Sequence, residues 1–160
     1  MPEQRKPQWT ALAFDFGGKR IGVAAGDSVT RRARPLTTLH CGPAGIDWRA
    51  IERVVNEWQP AFMVVGVPLN ADGSRSELAI PAEDFARELG KQHQIAVDTI
   101  DERFSSLEAS DELRKARADG RRSRRVRRED IDAAAACVIL ERWFDHTAGA
   151  HKTATMPHTP

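Results

Sequence analysis

Cysteine is scarce in this 160-residue chain: Cys41 and Cys137 are the only two, and they stand far apart. That excludes a disulfide framework and points to free thiols in the cytoplasm. Long hydrophobic runs are missing too, so none reaches the roughly 20 apolar residues a membrane span needs, and no membrane partner is expected. The N-terminal MPEQRKPQWT carries basic residues without the apolar core of a secretory signal. Histidine offers little: His40, His93, His146, His151 and His158 lack metal-ligand spacing, and three lie at or near the C-terminal tail. No serine, cysteine and histidine constellation suggests a covalent nucleophile. Internal repeats are absent.

Hydrophobic residues at 41% and charged residues at 29% are ordinary for a globular protein. The length suits one α/β domain with a real core and is too short for two. We place that domain at residues 1–146 and expect 147–160, TAGAHKTATMPHTP, to lack fixed structure, because it has no apolar periodicity. The net charge of +1 conceals a separation: residues 114–128 hold nine basic side chains against one acid, Asp119, and the rest carries 15 basic and 22 acidic groups.

The segment ALAFDF (11–16) predicts a strand, the turn Gly17, Gly18, Lys19, Arg20 follows, and IGVAA from Ile21 predicts its hairpin partner. A third strand is expected around 36–39, with a loop over 41–45. Ile46, Ile51, Val54, Val55 and Trp58 recur at helical spacing and predict a helix ending before Pro60. FMVVGV (62–67) is apolar without alternation, as in a central strand covered on both faces. After the loop LNADGSRSE a helix runs to about residue 92, starting late or kinking at Pro81. IAVDTI (95–100) predicts a strand that delivers Asp101 and Glu102. Ser105 with Glu108 forms a capping-box pattern that opens a helix into the arginine-rich stretch, and residues 130–144 form the last helix. The order predicts an α/β mixed sheet flanked by helices.

Asp15 interrupts an otherwise apolar strand, where an ionised carboxylate costs several kcal/mol, roughly, unless a cation or hydrogen bonds compensate it. The bland alternative is a cap on the glycine turn. Asp101 and Glu102 sit at a strand end, where ligands gather in open sheets, and alternation lets only one of them face as Asp15 does. The other reading is a solvated pair opening a loop. Asp132 lies near the start of an alanine-rich helix and shares a face with Ala135, Ala136 and Ile139, so that helix can approach the sheet closely. Alone, it reads equally well as an acid favoured by the helix dipole. Together Asp15, Glu102 and Asp132 could hold one or two Mg²⁺ ions, or Mn²⁺, with Asp101 or Glu129 as further candidates. Arg121, Arg122, Arg124 and Arg125 belong to a run whose like charges repel unless a polyanion is near; we expect phosphate contacts rather than only a solvated face.

Four segments carry a resemblance: FDFGGKRIGVAAGD (14–27), VVGVPLNADGS (64–74), DERFSSLEA (101–109) and IDAAAACVIL (131–140). In order and spacing they resemble the YqgF, or RuvX, family, described as Holliday junction resolvases and as nucleases maturing the 5′ end of pre-16S ribosomal RNA. The resemblance implies a ribonuclease H-like fold, catalytic and metal-holding roles for Asp15, Glu102 and Asp132, and substrate contacts by Lys19, Arg20 and Arg103. It also places the loop of Asn70, Asp72, Gly73 and Ser74 beside the site, with Asn70 and Ser74 toward substrate. Gly18 stands where the family usually has a hydroxyl residue, and Pro81 interrupts a helix that normally begins earlier.

The implied function is a metal-dependent endonuclease acting on structured RNA or branched DNA, as a monomer or homodimer. Pre-16S RNA processing is the leading substrate and junction resolution the alternative. A non-cleaving nucleic-acid-binding protein is a rival of another class. A nucleotide-binding domain of the actin and sugar-kinase type shares the aspartate and glycine turn, but 160 residues cannot supply its two domains.

Overall fold

A computed structural model describes residues 8–70, 72–102 and 128–150. The chain opens as a meander of β1 (Thr10–Phe16), β2 (Arg20–Asp27) and β3 (Ala33–His40). It continues through α1 (Trp48–Trp58), β4 (Phe62–Pro68), α2 (Ala79–His93), β5 (Ala96–Glu102) and α3 (Arg128–Ala150). The five strands form one sheet in the order β3-β2-β1-β4-β5. β1 is antiparallel to β2 and parallel to β4, and β4 is parallel to β5, so the C-terminal ends of β1, β4 and β5 meet at one edge of the sheet.

Strand alternation divides the core. Leu12, Phe14 and Phe16 of β1 pack with Met63, Val65 and Val67 of β4, and α1 and α2 cover them through Ile51, Val55, Phe85 and Leu89. Ala11, Ala13 and Val64 point the other way, toward Ile139, Leu140, Trp143 and Phe144 of α3. Asp15 has the parity of Ala11 and Ala13 and therefore faces α3. Within the apolar FMVVGV run, residues 63–67 are buried on both faces because helices lie on both sides.

Local chemistry accounts for the helix ends. The Asp47 side chain accepts from the Ala50 N–H at 3.1 Å and caps α1. Pro81 lies in the first turn of α2, where its missing N–H is no loss, so the helix starts late and is not broken there. α3 is longer than the 130–144 expected and enters the segment read as tail. The Thr147 hydroxyl bonds the Trp143 carbonyl at 2.9 Å, and no proline interrupts the helix. Residues 151–160, the Ser105–Glu108 capping box and the helix expected after it lie outside the described residues.

Candidate active site

The two strands flanking Asp15 present glycine to it: Gly22 on β2 and Gly66 on β4 are its partners in register. A β-carbon on Gly22 would fall inside the main-chain carbonyl of Asp132, and one on Gly66 would strike the Ile139 side chain. The absence of those side chains lets α3 lie against the sheet beside Asp15. Asp132 sits beyond the first turn of α3, because the helix begins at Arg128, which weakens the dipole explanation for this acid. Glu102 ends β5 and is buried at 6% exposure, whereas Asp101 is exposed. Alternation has thus selected Glu102 as the acid on the α3 face.

Asp15 feels the other two acids. Burial pushes the Asp15 carboxyl up to about 7, and the charges of Asp132 and then Glu102 push in the same direction. The outer two carry arginine partners. Arg20 Nε donates to Asp132 Oδ2 at 2.6 Å, and Arg142 Nη1 donates to Glu102 Oε1 at 2.6 Å. Among the described residues no three His, Cys, Asp or Glu side chains are grouped closely enough, as they stand, to enclose a metal ion. The donor set nonetheless fits magnesium in kind: three hard carboxylates, one of them raised by desolvation and by like charge, are what a divalent cation would relieve.

Lys19 and Arg20 follow the hairpin turn, in which Gly17 N–H donates to the Arg20 carbonyl at 2.9 Å and Gly18 takes a φ of 86°. That left-handed φ favours glycine over a hydroxyl residue at position 18. Lys19 is exposed. Asn70 and Ser74 are bonded to each other, Nδ2 to Oγ at 3.0 Å, and Ser74 Oγ donates to Asp72 Oδ1 at 2.6 Å, so the loop after β4 is braced from within. Arg103, Arg121, Arg122, Arg124, Arg125 and, for its side chain, Glu129 lie outside the described residues.

Sequence reasoning missed two residues. Arg142 reaches Glu102 from α3. Arg75 bonds Glu83 at 2.6 Å and also lies in the field of Asp101, at the same edge of the sheet. Nothing in local spacing marked Arg142; Arg75 stood in plain view within the loop LNADGSRSE.

A family model described as "RuvX: Holliday junction resolvase" matches residues 9–146. The chain belongs to the RuvX family. Among its relatives, a protein of Xanthomonas campestris pv. campestris (strain 8004), named "Putative pre-16S rRNA nuclease", is 44% identical over 146 residues, covering 90% of this chain and 94% of the relative. Relatives of the same name from Pseudomonas fluorescens and Yersinia enterocolitica are each 42% identical, covering 89% and 88% of this chain and 96% and 97% of theirs.

Solved structures similar in fold include the RuvC of T. thermophilus in complex with Holliday junction substrate. Its TM-score is 0.53 at 15% identity, with 92% of this RuvX-family chain and 98% of that one covered. The resolvase of Fowlpox virus with its Holliday junction DNA gives 0.51 at 11% identity, covering 86% and 97%. The architecture is the ribonuclease H-like mixed sheet flanked by helices that the sequence led us to expect.

Proposed function

We propose that this chain is a magnesium-dependent endonuclease of the cytoplasm that processes the 5′ end of pre-16S ribosomal RNA. One observation carries the reading: an aspartate in the middle of the sheet is pushed up to about 7 by burial and by acids from two distant elements. Such a carboxylate is destabilised until a cation arrives, and the names borne by the relatives supply the substrate class.

Asp15, Glu102 and Asp132 would hold the ion. When bound, magnesium supplies Lewis acidity toward the attacking and leaving oxygens of a phosphodiester. The chain's own part is positioning. Arg20 is tied to Asp132 through Nε, and its two terminal nitrogens make no hydrogen bond among the described residues, so they are available to a phosphate beside the acids. Exposed Lys19 adds a second cation at the same turn. Asn70 and Ser74 would contact substrate from the braced loop. Arg103 and the arginines at 121, 122, 124 and 125 would supply backbone contacts that carry no sequence information.

A second reading is junction resolution, favoured by the description of the matching family model and by the junction-bound structural neighbours. It requires two sites related by a two-fold axis, because two strands must be nicked at matched positions.

The test is cleavage of a precursor 16S RNA fragment and of a synthetic four-way DNA junction, with the cut position and the oligomeric state measured on each. Wild type is expected to cut the RNA at its 5′ side only with magnesium, and Asp15→Asn to bind without cutting. Matched nicks on the junction by a dimer would transfer the assignment to resolution. Binding without cleavage of either substrate by clean wild type would leave a non-cleaving nucleic-acid-binding protein.

A further inference from the structure

Arg142 has no role in the reading above, yet it holds one of its three acids. Its Nη1 lies 2.6 Å from Glu102 Oε1, with side-chain exposures of 37% for the arginine and 5% for the glutamate. Glu102 is the one buried charged residue among those described. A carboxylate so placed requires a compensating charge, and a guanidinium supplies one that cannot be titrated away at ordinary pH. The geometry around Arg142 keeps it there. Its neighbour Trp143 is buried and donates from Nε1 to Asp98 on β5 at 2.9 Å, while Glu141 accepts from Ala33 N–H on the β3 flank at 2.9 Å. α3 is therefore pinned at both edges of the sheet, and Arg142 emerges on the β5 side, within reach of Glu102.

We propose that Arg142 competes with the divalent cation for Glu102 and thereby sets a low cation affinity in the chain free of nucleic acid. This rests on the reading of Glu102 as a cation ligand. One fact supports competition over simple bracing: both outer acids already have a guanidinium at hydrogen-bond distance. An incoming ion must share or displace an oxygen that is held, and it must do so against a fixed positive charge. Substrate phosphate would bring further oxygens and negative charge to the same place.

The experiment titrates Mn²⁺ into the full-length protein without nucleic acid and follows the free ion by its electron paramagnetic resonance signal. Arg142→Gln and Arg142→Met should each bind Mn²⁺ about tenfold more tightly, the effect of removing one charge several ångströms from a divalent ion under water-like screening. Arg142→Lys should stay within about twofold of wild type, because it keeps the charge. The methionine variant retains the aliphatic packing, so it serves if glutamine disturbs the fold, and thermal unfolding checks both. In an E102Q background the gain from R142Q should vanish. If E102Q alone weakens Mn²⁺ binding but neither R142Q nor R142M tightens it, the competition is overturned and the site assignment stands. If E102Q and D15N both bind Mn²⁺ like wild type, the site assignment itself falls, and the inference with it.

Discussion

Gly22 of β2 lies directly beneath the main-chain carbonyl of Asp132 in α3, closer than any β-carbon would allow. Gly22→Ala must therefore move backbone against backbone, and it should cost at least about 2 kcal/mol by the usual scale for overpacking. Gly66→Ala meets the Ile139 side chain, nearest at its terminal Cδ1, rather than backbone, and should cost less, about 1 kcal/mol. Denaturant unfolding of the two variants measures the order. A Gly22→Ala protein as stable as wild type would mean that α3 does not approach the sheet as described.

Asp15 makes stability depend on pH. Its folded pKa of about 7 lies above the ordinary value of 3.8, so between those values the folded chain holds a proton that the unfolded chain has lost. Stability should then fall as pH rises from about 4 through about 7, by a few kcal/mol at most. In metal-free buffer wild type should be more stable at pH 5 than at pH 8. Asp15→Asn should flatten that slope and be the more stable protein at pH 8. A slope unchanged by Asp15→Asn would show that another group titrates.

Arg20 and Asp132 are partly buried and 112 positions apart, so their contact ties β2 to α3. Removing the arginine leaves the Asp132 carboxylate without its ion-pair partner and within the field of Asp15. We expect Arg20→Gln to cost about 1–2 kcal/mol, and the double variant with Asp132→Asn to cost less than the sum of the singles. Additive losses in that cycle would show that the two side chains do not interact in solution.

Replacing Arg121, Arg122, Arg124 and Arg125 together by glutamine should weaken nucleic-acid binding without changing its preference among sequences. The slope of log affinity against log salt should drop by up to about 0.9 for each duplex phosphate that is no longer neutralised, or about 0.7 on a single strand. Filter binding at several salt concentrations reads both quantities. An unaltered slope would take this segment out of the substrate path.

Much of the architecture could be read from local pattern. Continuous apolarity marked β4 as central, alternation reserved one of Asp101 and Glu102 for the α3 face, and Pro81 fixed the late start of α2. Asp15 stood out because a charge within an apolar strand is costly, whereas Glu102 and Asp132 each had an ordinary reading and gained weight only beside it. What stayed hidden depends on contacts between distant segments. Arg142 meets Glu102 across 40 positions, and no periodicity of α3 encodes that meeting. Asn70 and Ser74 were legible as loop residues, but the internal bonds that brace the loop belong to its three-dimensional closure. The extent of α3 was underestimated because its last turns are held by Thr147 bonding back to the helix rather than by an apolar stripe.

The placement of α3 also bears on translation. The last described helix brings Asp132 and supplies Ile139, Leu140, Trp143 and Phe144 to one whole face of the sheet. A nascent polypeptide that has emerged only as far as β5 therefore carries two of the acids on a sheet whose second face is bare. Asp132 and the second layer of the core arrive together, so a chain that stops after β5 would lack both.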